Sequence, residues 1–395
     1  MVPGGARDMM RVAWHVPTDT SWIAGLNYFR NLAHAIRSIP DRTIEPVVIG
    51  DPSALPWPLN ECDGIPDIVP RRPAPRWWLY GAERALLQNG GAVARHLKKH
   101  RIDLLSHSAW LGRRTPVPAM CWIPDFQHHH LPRFFSAGEL RHRNWTHRAV
   151  ATSAQALVVS STTAKQDFER RYPRSEIPVR VLRFVAPATE DGELPGRDEV
   201  LAKHNIEEPF LHVPNQLWAH KNHDAVLSAL RILRDRGNCP LVISTGRTDD
   251  YRDPTHAPAF FERLKDSGLD QRFRFLGLAP YKDVAALMRA SIAIINPSLF
   301  EGWSTTVEEA KSLGKRLLLS DIPVHREQNP SRGIYFDPKC PAELADRMQE
   351  IVRTHDESRE TAAAAEAARE LPGRMRDFGQ AYQRIVTEAI GDSPR

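Results

Sequence analysis

A chain of 395 residues with 42% hydrophobic and 26% charged residues can bury a sizeable core and divide into about two domains. Its 53 basic and 48 acidic residues leave a formal charge of +5, which favours anionic ligands or an anionic surface but is too mild and dispersed to point to nucleic acid. The four cysteines (Cys62, Cys121, Cys239, Cys340) are far apart and show no metal-ligand spacing, which argues against a disulfide framework or a structural zinc site and for a reduced, cytoplasmic setting.

No apolar stretch of signal-peptide length occupies residues 1–11, and nowhere do about 18 apolar residues run together, so neither export nor a membrane span is expected. In chain order, apolar strand-like runs alternate with helical periodicity. Arg11 to Val16 and Ile44 to Ile49 read as strands around a helix from about Leu26 to Ile39. A helix over Trp78 to Lys99 follows, then strands at Leu104 to His107 and Ala119 to Ile123. Helices at Ala137 to Thr152 and Thr162 to Tyr172 flank a strand at Ala156 to Ser160, and Val179 to Leu182 is a further strand.

The polar, Pro- and Gly-containing stretch between Ala186 and Arg197 suits a linker. A second series follows: Phe210 to Val213, a helix over Asn222 to Arg236, then Leu241 to Gly246, Phe273 to Gly277, a helix over Pro280 to Arg289, Ser291 to Ile295 and Arg316 to Ser320. The tail from Pro341 reads as helical, with Leu371-Pro372-Gly373 expected to interrupt it before a last helix. The fold class is therefore α/β, two doubly wound Rossmann-like domains facing each other across a cleft. The expected bounds are 1–188, 189–372 and a C-terminal helix, 373–395, packing back toward the first domain.

The densest chemistry lies in FEGWSTTVEEA, residues 300–310, directly after the apolar run Ser291 to Ser298. A helix starting near Ser304 or Thr305 would offer the N–H groups of Ser304, Thr305 and Thr306 to a phosphate, with Thr305 and Glu308 at capping-box spacing. Gly302 would let the backbone approach closely. Glu309 lies four residues beyond Thr305, about 6 Å along the axis, a reasonable offset from pyrophosphate to ribose. Glu301 would face what lies beyond the phosphates. Lys221, beside a helix start where the dipole disfavours a cation, hints at an anionic partner.

The stretch NPSLFEGWSTTVEEAKSLGKRLLLSDIPVHRE closely resembles the donor-site signature of retaining GT-B glycosyltransferases of glycosyltransferase family 4. Supporting segments are PNQLWAHKNHDAVLSAL (214–230), FRFLG (273–277) and WIPDFQHHHLPRFFS (122–136). The resemblance implies that Glu301 contacts the donor sugar, Glu309 holds the ribose and Lys221 neutralises the pyrophosphate. It implies that Gly302, Trp303, Ser304, Thr305 and Thr306 line the donor and that His128 lies against the transferred sugar. Asp125 and Gln127 would fall on the acceptor side. Where the family usually has an arginine upstream of the lysine, this chain has Asn215 and Gln216, so Gln216 is a donor-side candidate and Arg247 either a replacement cation or a solvated loop residue. Gly25, between the first strand and helix, stands where the family often has paired glycines, as a ligand contact or as a glycine easing a turn. Base reading is implied near Gly277 and Leu278.

The implied activity is transfer of a hexose of mannose, rhamnose or glucose type from a nucleotide-diphosphate sugar to a glycan or lipid-linked acceptor, in bacterial cell-surface polysaccharide synthesis. No cofactor or metal is expected: His128, His129 and His130 are adjacent, and three consecutive residues rarely converge on one ion. The partners are a nucleotide sugar and the acceptor, with no nucleic acid. Arg71, Arg72 and Arg76 beside Trp77, Trp78 and Tyr80 offer a peripheral membrane contact through residues 71–80, against the alternative that these tryptophans pack in a core. The rival readings are a nucleotide-sugar-binding protein without turnover and a GT-B-type sugar-nucleotide epimerase.

Overall fold

The computed structural model describes residues 9–16, 23–66, 91–108, 115–188 and 194–391. The chain divides into two compact units, one of Met1–Phe126, Arg141–Val185 and Pro372–Arg395, the other of Gln127–Leu140 and Ala186–Leu371. The first therefore gives up residues 127–140, which carry Gln127 and His128, to the second.

In the first unit the strands are β1 (Met10–Trp14), β2 (Ile44–Ile49), β3 (Asp63–Ile65), β4 (Leu104–Ser108), β5 (Ala119–Ile123), β6 (Ala156–Val159) and β7 (Val179–Val181). Among the described residues they form one parallel sheet in the order β3-β2-β1-β4-β5-β6-β7. A parallel sheet needs crossover helices on its faces, which is why its inner strands β5 and β6 are apolar while the edge strand β3 carries exposed Asp63 and Gly64. Ala13, Val47, Leu105 and Ala119 build one buried cluster, and Cys121, Leu157, Val159 and Phe168 another.

Two local expectations change here. Gly25 lies buried inside the helix Ile23–Arg37, not in the turn before it, so its backbone is committed to the helix. The expected interruption at Leu371-Pro372-Gly373 does not occur: one helix runs Glu357–Gly391 with Pro372 inside it. A proline in a helix interior costs about 3 kcal/mol. That cost is offset by the burial of Met375, Phe378, Tyr382 and Val386 at helical spacing. Gly379 lets the backbones touch, since a Cβ there would stand 2.3 Å from the Ala35 carbonyl oxygen. The Trp14 indole donates to the Tyr382 hydroxyl at 2.8 Å. The stretch 71–80 lies outside the described residues.

In the second unit the strands are β8 (Phe210–Val213), β9 (Leu241–Ser244), β10 (Phe273–Phe275), β11 (Ala293–Asn296), β12 (Leu317–Ser320) and β13 (Gly333–Phe336). They form a parallel sheet in the order β10-β9-β8-β11-β12-β13. Every residue of β8, β9, β11 and β12 is buried, as continuous apolar runs require. The strand order reverses between β8 and β11, which pair through Ala293 with Leu211 and Ile294 with His212. Ligands bind open α/β sheets beyond the carboxyl ends of the strands at such a switch point. The loops after β8 and β11 carry Lys221 and Glu301.

Residues 186–188, expected to begin a solvated linker, are buried. Ser312 donates to the Ala186 carbonyl at 2.9 Å and Tyr281 to that of Pro187 at 3.3 Å. Among the described residues, no helix is long and apolar enough to cross a membrane.

Candidate active site

After β8 the chain makes a single 3-10 turn, Ala219–Lys221, and Asn222 then takes a left-handed conformation (φ 58) before the helix His223–Asp235 begins. Asparagine tolerates that conformation through its short polar side chain. Here its amide donates to the carbonyls of Pro297 and Pro338, each at 3.1 Å. The Leu299 N–H donates to the His220 carbonyl at 2.8 Å. These bonds clasp the β8 loop to the β11 loop. Lys221 Nζ consequently stands 2.6 Å from Glu301 Oε1, with the two side chains only 15% and 10% exposed. The anion expected near Lys221 is, in this structure, Glu301.

Burial pushes the Glu301 carboxyl up, but the Lys221 ammonium, its hydrogen bond and that of Ser298 outweigh this and hold the group below its ordinary value. Glu301 is therefore a carboxylate at neutral pH. His325 lies within electrostatic reach of both partners, and burial lowers its pKa despite the opposing pull of Glu301. Its Nδ1 is 2.9 Å from the Ser320 carbonyl, which only accepts, so the neutral ring carries its proton on Nδ1. Its Nε2 has no partner among the described residues.

A buried polar network runs from this pair to the helix that follows. The single Ser298 hydroxyl proton lies within reach of two acceptors, Glu301 at 2.7 Å and Asn296 Oδ1 at 2.8 Å. Asn296 donates to Ser304 Oγ at 2.8 Å and accepts from Asn215 at 3.4 Å, and Thr306 donates to Asn215 Oδ1 at 3.1 Å. Such networks fix geometry because each buried group would otherwise lose its hydrogen bonds outright. Gly246 makes room for Asn215: a Cβ there would stand 2.4 Å from the Asn215 carbonyl oxygen, and its φ is 153.

The helix Thr305–Ser312 begins as expected, with Ser304 at its N-cap, but the expected capping box is not formed. Glu308 instead lies 3.0 Å from Lys311 and accepts from Gln328 at 3.0 Å. Gln328 also accepts the Ser304 N–H at 3.1 Å, so that donor is occupied. The first-turn N–H groups of Thr305 and Thr306 are left for a ligand, since a helix cannot satisfy them itself. Gly302 is half-buried and Trp303 is buried against the turn. Glu309 is buried and accepts from the Tyr281 hydroxyl at 2.7 Å.

Two donor-side candidates have other engagements. The Gln216 carboxamide oxygen accepts the Arg247 N–H, bracing the turn after β9. The Arg247 guanidinium makes two 3.0 Å bonds to Asp249 at the surface, so its charge is already balanced. Sequence reasoning missed Arg252, five residues on. Its side chain, 7% exposed, pairs with Asp250 at 2.8 Å, donates to Gln127 at 2.8 Å and stacks over the Trp218 ring at 5.0 Å. It also lies 3.4 Å from His220, the neighbour of Lys221.

Arg252 thus joins the short helix Gln127–His130 to the lysine loop, while the His130 ring packs 5.0 Å from that of Phe300, next to Glu301. His128, Lys221 and Glu301 are brought together on one unit. Asp125 lies in the first unit, half-exposed beyond the end of β5. The Gly277 carbonyl, on the backbone suggested for base reading, accepts the Gly246 N–H at 2.9 Å.

Two Rossmann-like units, the second holding a lysine, two carboxylates and an open helix start at its switch point, define a GT-B protein. Residues 197–370 match the family described as Glycosyl transferases group 1. That segment, rather less than half of the chain, is similar to the group 1 glycosyltransferases. It is 27% identical over 142 residues to the O-antigen chain mannosyltransferase RfbU of Salmonella typhimurium, a match spanning 36% of this chain and 38% of that relative's length. Its fold is similar to that of a glycosyltransferase from Rickettsia africae (TM-score 0.67, 14% identity, 96% of this chain and 99% of the other). It is also similar to Anabaena HepE in complex with UDP-glucose (TM-score 0.65, 16% identity, 97% and 99%). At those identities the likeness speaks for the fold alone.

Proposed function

We propose that the protein transfers a hexose from a nucleotide-diphosphate sugar to a glycan or lipid-linked acceptor, retaining the anomeric configuration, in bacterial surface polysaccharide synthesis at the cytoplasmic side. The observation that carries this reading is the Lys221–Glu301 pair clasped at the switch point beside the free N–H groups of Thr305 and Thr306. Lysine has three donors and Glu301 uses one, so two remain for the diphosphate. Glu301, ionised and fixed by Ser298, accepts sugar hydroxyls, and Glu309 accepts those of the ribose. The partial match to the mannosyltransferase RfbU supports a hexose donor.

In the proposed reaction the bond from the anomeric carbon to the diphosphate oxygen breaks through an oxocarbenium-like state. The acceptor oxygen bonds to that carbon from the same face, and its proton passes to the departing diphosphate. Lys221 and the helix N–H groups stabilise the charge that develops on the leaving group, which lets the step proceed without a metal. His128 contributes from the short helix held by Arg252, beside the transferred sugar.

Diphosphate release, measured with and without acceptor, tests the reading. Release coupled to glycan formation supports it. Sugar interconversion identifies an epimerase, and binding without product identifies a binding protein.

A further inference from the structure

The helix Ala137–Ser153 carries Arg148 and an unusual Trp145, 64% exposed. Trp145 is the one large exposed hydrophobic side chain of the first unit among its described residues. Beside it opens a recess of about 760 Å³, lined also by Arg171, Tyr172 and Arg174. Its floor is fixed, because Ser175 donates to the Ala151 carbonyl at 2.7 Å and to the Tyr172 carbonyl at 2.9 Å. Arg148 and Arg171 both act on the Tyr172 hydroxyl. Among the described residues no carboxylate pairs with Arg148, Arg171 or Arg174.

A second recess of about 370 Å³ shares Tyr172, Pro173 and Ser175 with the first, so the two form one track. Charges along the second are balanced, Lys165 by Glu169 at 3.8 Å and Arg180 by Glu388 at 2.9 Å. The surplus positive charge is thus confined to the end that holds Trp145.

A bilayer needs a protruding apolar patch to enter, and here one indole stands alone, while the apolar side of its helix (Val150, Ala151) is buried inward. A concave site with an aromatic face, hydroxyl and amide groups from Asn144, Thr152 and Ser175, and unbalanced arginines matches a sugar ring bearing an anionic group. The two joined recesses favour an extended chain over a single headgroup.

We propose that this track binds an acidic glycan chain, one saccharide ring seated on Trp145 and its carboxylate held by Arg148, Arg171 and Arg174. The proposal is independent of the transfer reading, because the track is built wholly from the first unit and binding requires neither donor nor turnover.

Titration calorimetry of the full chain with hexameric oligogalacturonate, with maltohexaose and with phosphatidylglycerol vesicles tests it. Oligogalacturonate is expected to bind, and maltohexaose about tenfold more weakly or not at all. Trp145→Ala and the double variant Arg171→Gln/Arg174→Gln are each expected to weaken oligogalacturonate binding about tenfold, leaving the melting temperature unchanged. No oligogalacturonate binding, equal binding of maltohexaose, wild-type binding by both variants, or binding of vesicles in place of the acidic oligosaccharide would overturn it.

Discussion

Replacing Lys221 by Met leaves the Glu301 carboxylate, 10% exposed, without the cation now 2.6 Å away. Removing one partner of a buried pair costs about 3–5 kcal/mol, whereas removing both is often close to neutral. At pH 7 we expect Lys221→Met to lose about 3 kcal/mol, and Lys221→Met/Glu301→Gln to recover to within about 1 kcal/mol of wild type. The pH dependence should invert as well. In wild type the Glu301 pKa is held below its ordinary 4.5, so its stabilisation is present above that pH and is lost as pH falls through the lowered value. With Lys221 gone, burial dominates and raises the pKa. The group then favours the folded state below 4.5 and loses that contribution as pH rises through the raised value. The stability gap between wild type and Lys221→Met should therefore shrink from pH 7 toward pH 4. Denaturant titration of the four proteins of the cycle at both pH values measures this. A coupling below about 0.5 kcal/mol, or a gap independent of pH, would refute the reasoning.

Gly246→Ala drives a Cβ to 2.4 Å from the Asn215 carbonyl oxygen at a strained φ, and should cost about 3 kcal/mol in denaturant titration. A cost under about 1 kcal/mol would show that Asn215 moves freely. Arg252→Met strands Asp250, 4% exposed, and should destabilise by about 3 kcal/mol. It should also lower turnover by loosening the helix that bears His128, so wild-type stability and rate together would contradict the assigned role. Prolonged dialysis against EDTA should leave the transfer rate unchanged, and a loss restored by a divalent cation would overturn the metal-free mechanism.

Much of the second unit was legible because continuous apolar strands announce burial on both faces, and Ser291 to Ser298 is buried throughout. The alternation of strands and helices announces a parallel sheet, while the order β10-β9-β8-β11-β12-β13 that juxtaposes the lysine and glutamate loops is set by tertiary packing. What the sequence could not show is which polar side chains turn inward. Arg247 and Arg252 share one loop, yet the first pairs at the surface and the second is buried under Trp218, a choice made by tertiary packing. Asn222 reads as the start of a helix and Asn296 and Ser298 as part of a buried run, and nothing local shows their polar roles; the Asn222 amide, for one, bonds a carbonyl 116 positions away. Likewise Pro372 signals a break locally, and only the distant surface that buries Phe378 and Tyr382 overrules it. Residues 127–140 carry no mark of the unit they join.

The claim on which the rest depends is that the loops clasped by Asn222 form a nucleoside-diphosphate site. Calorimetric titration of wild type and of Lys221→Met/Glu301→Gln with UDP, GDP, dTDP and their hexose conjugates measures it directly. The account predicts that at least one diphosphate binds wild type and binds the folded double variant about 100-fold more weakly. Undiminished binding by that variant, or none by wild type, would contradict it.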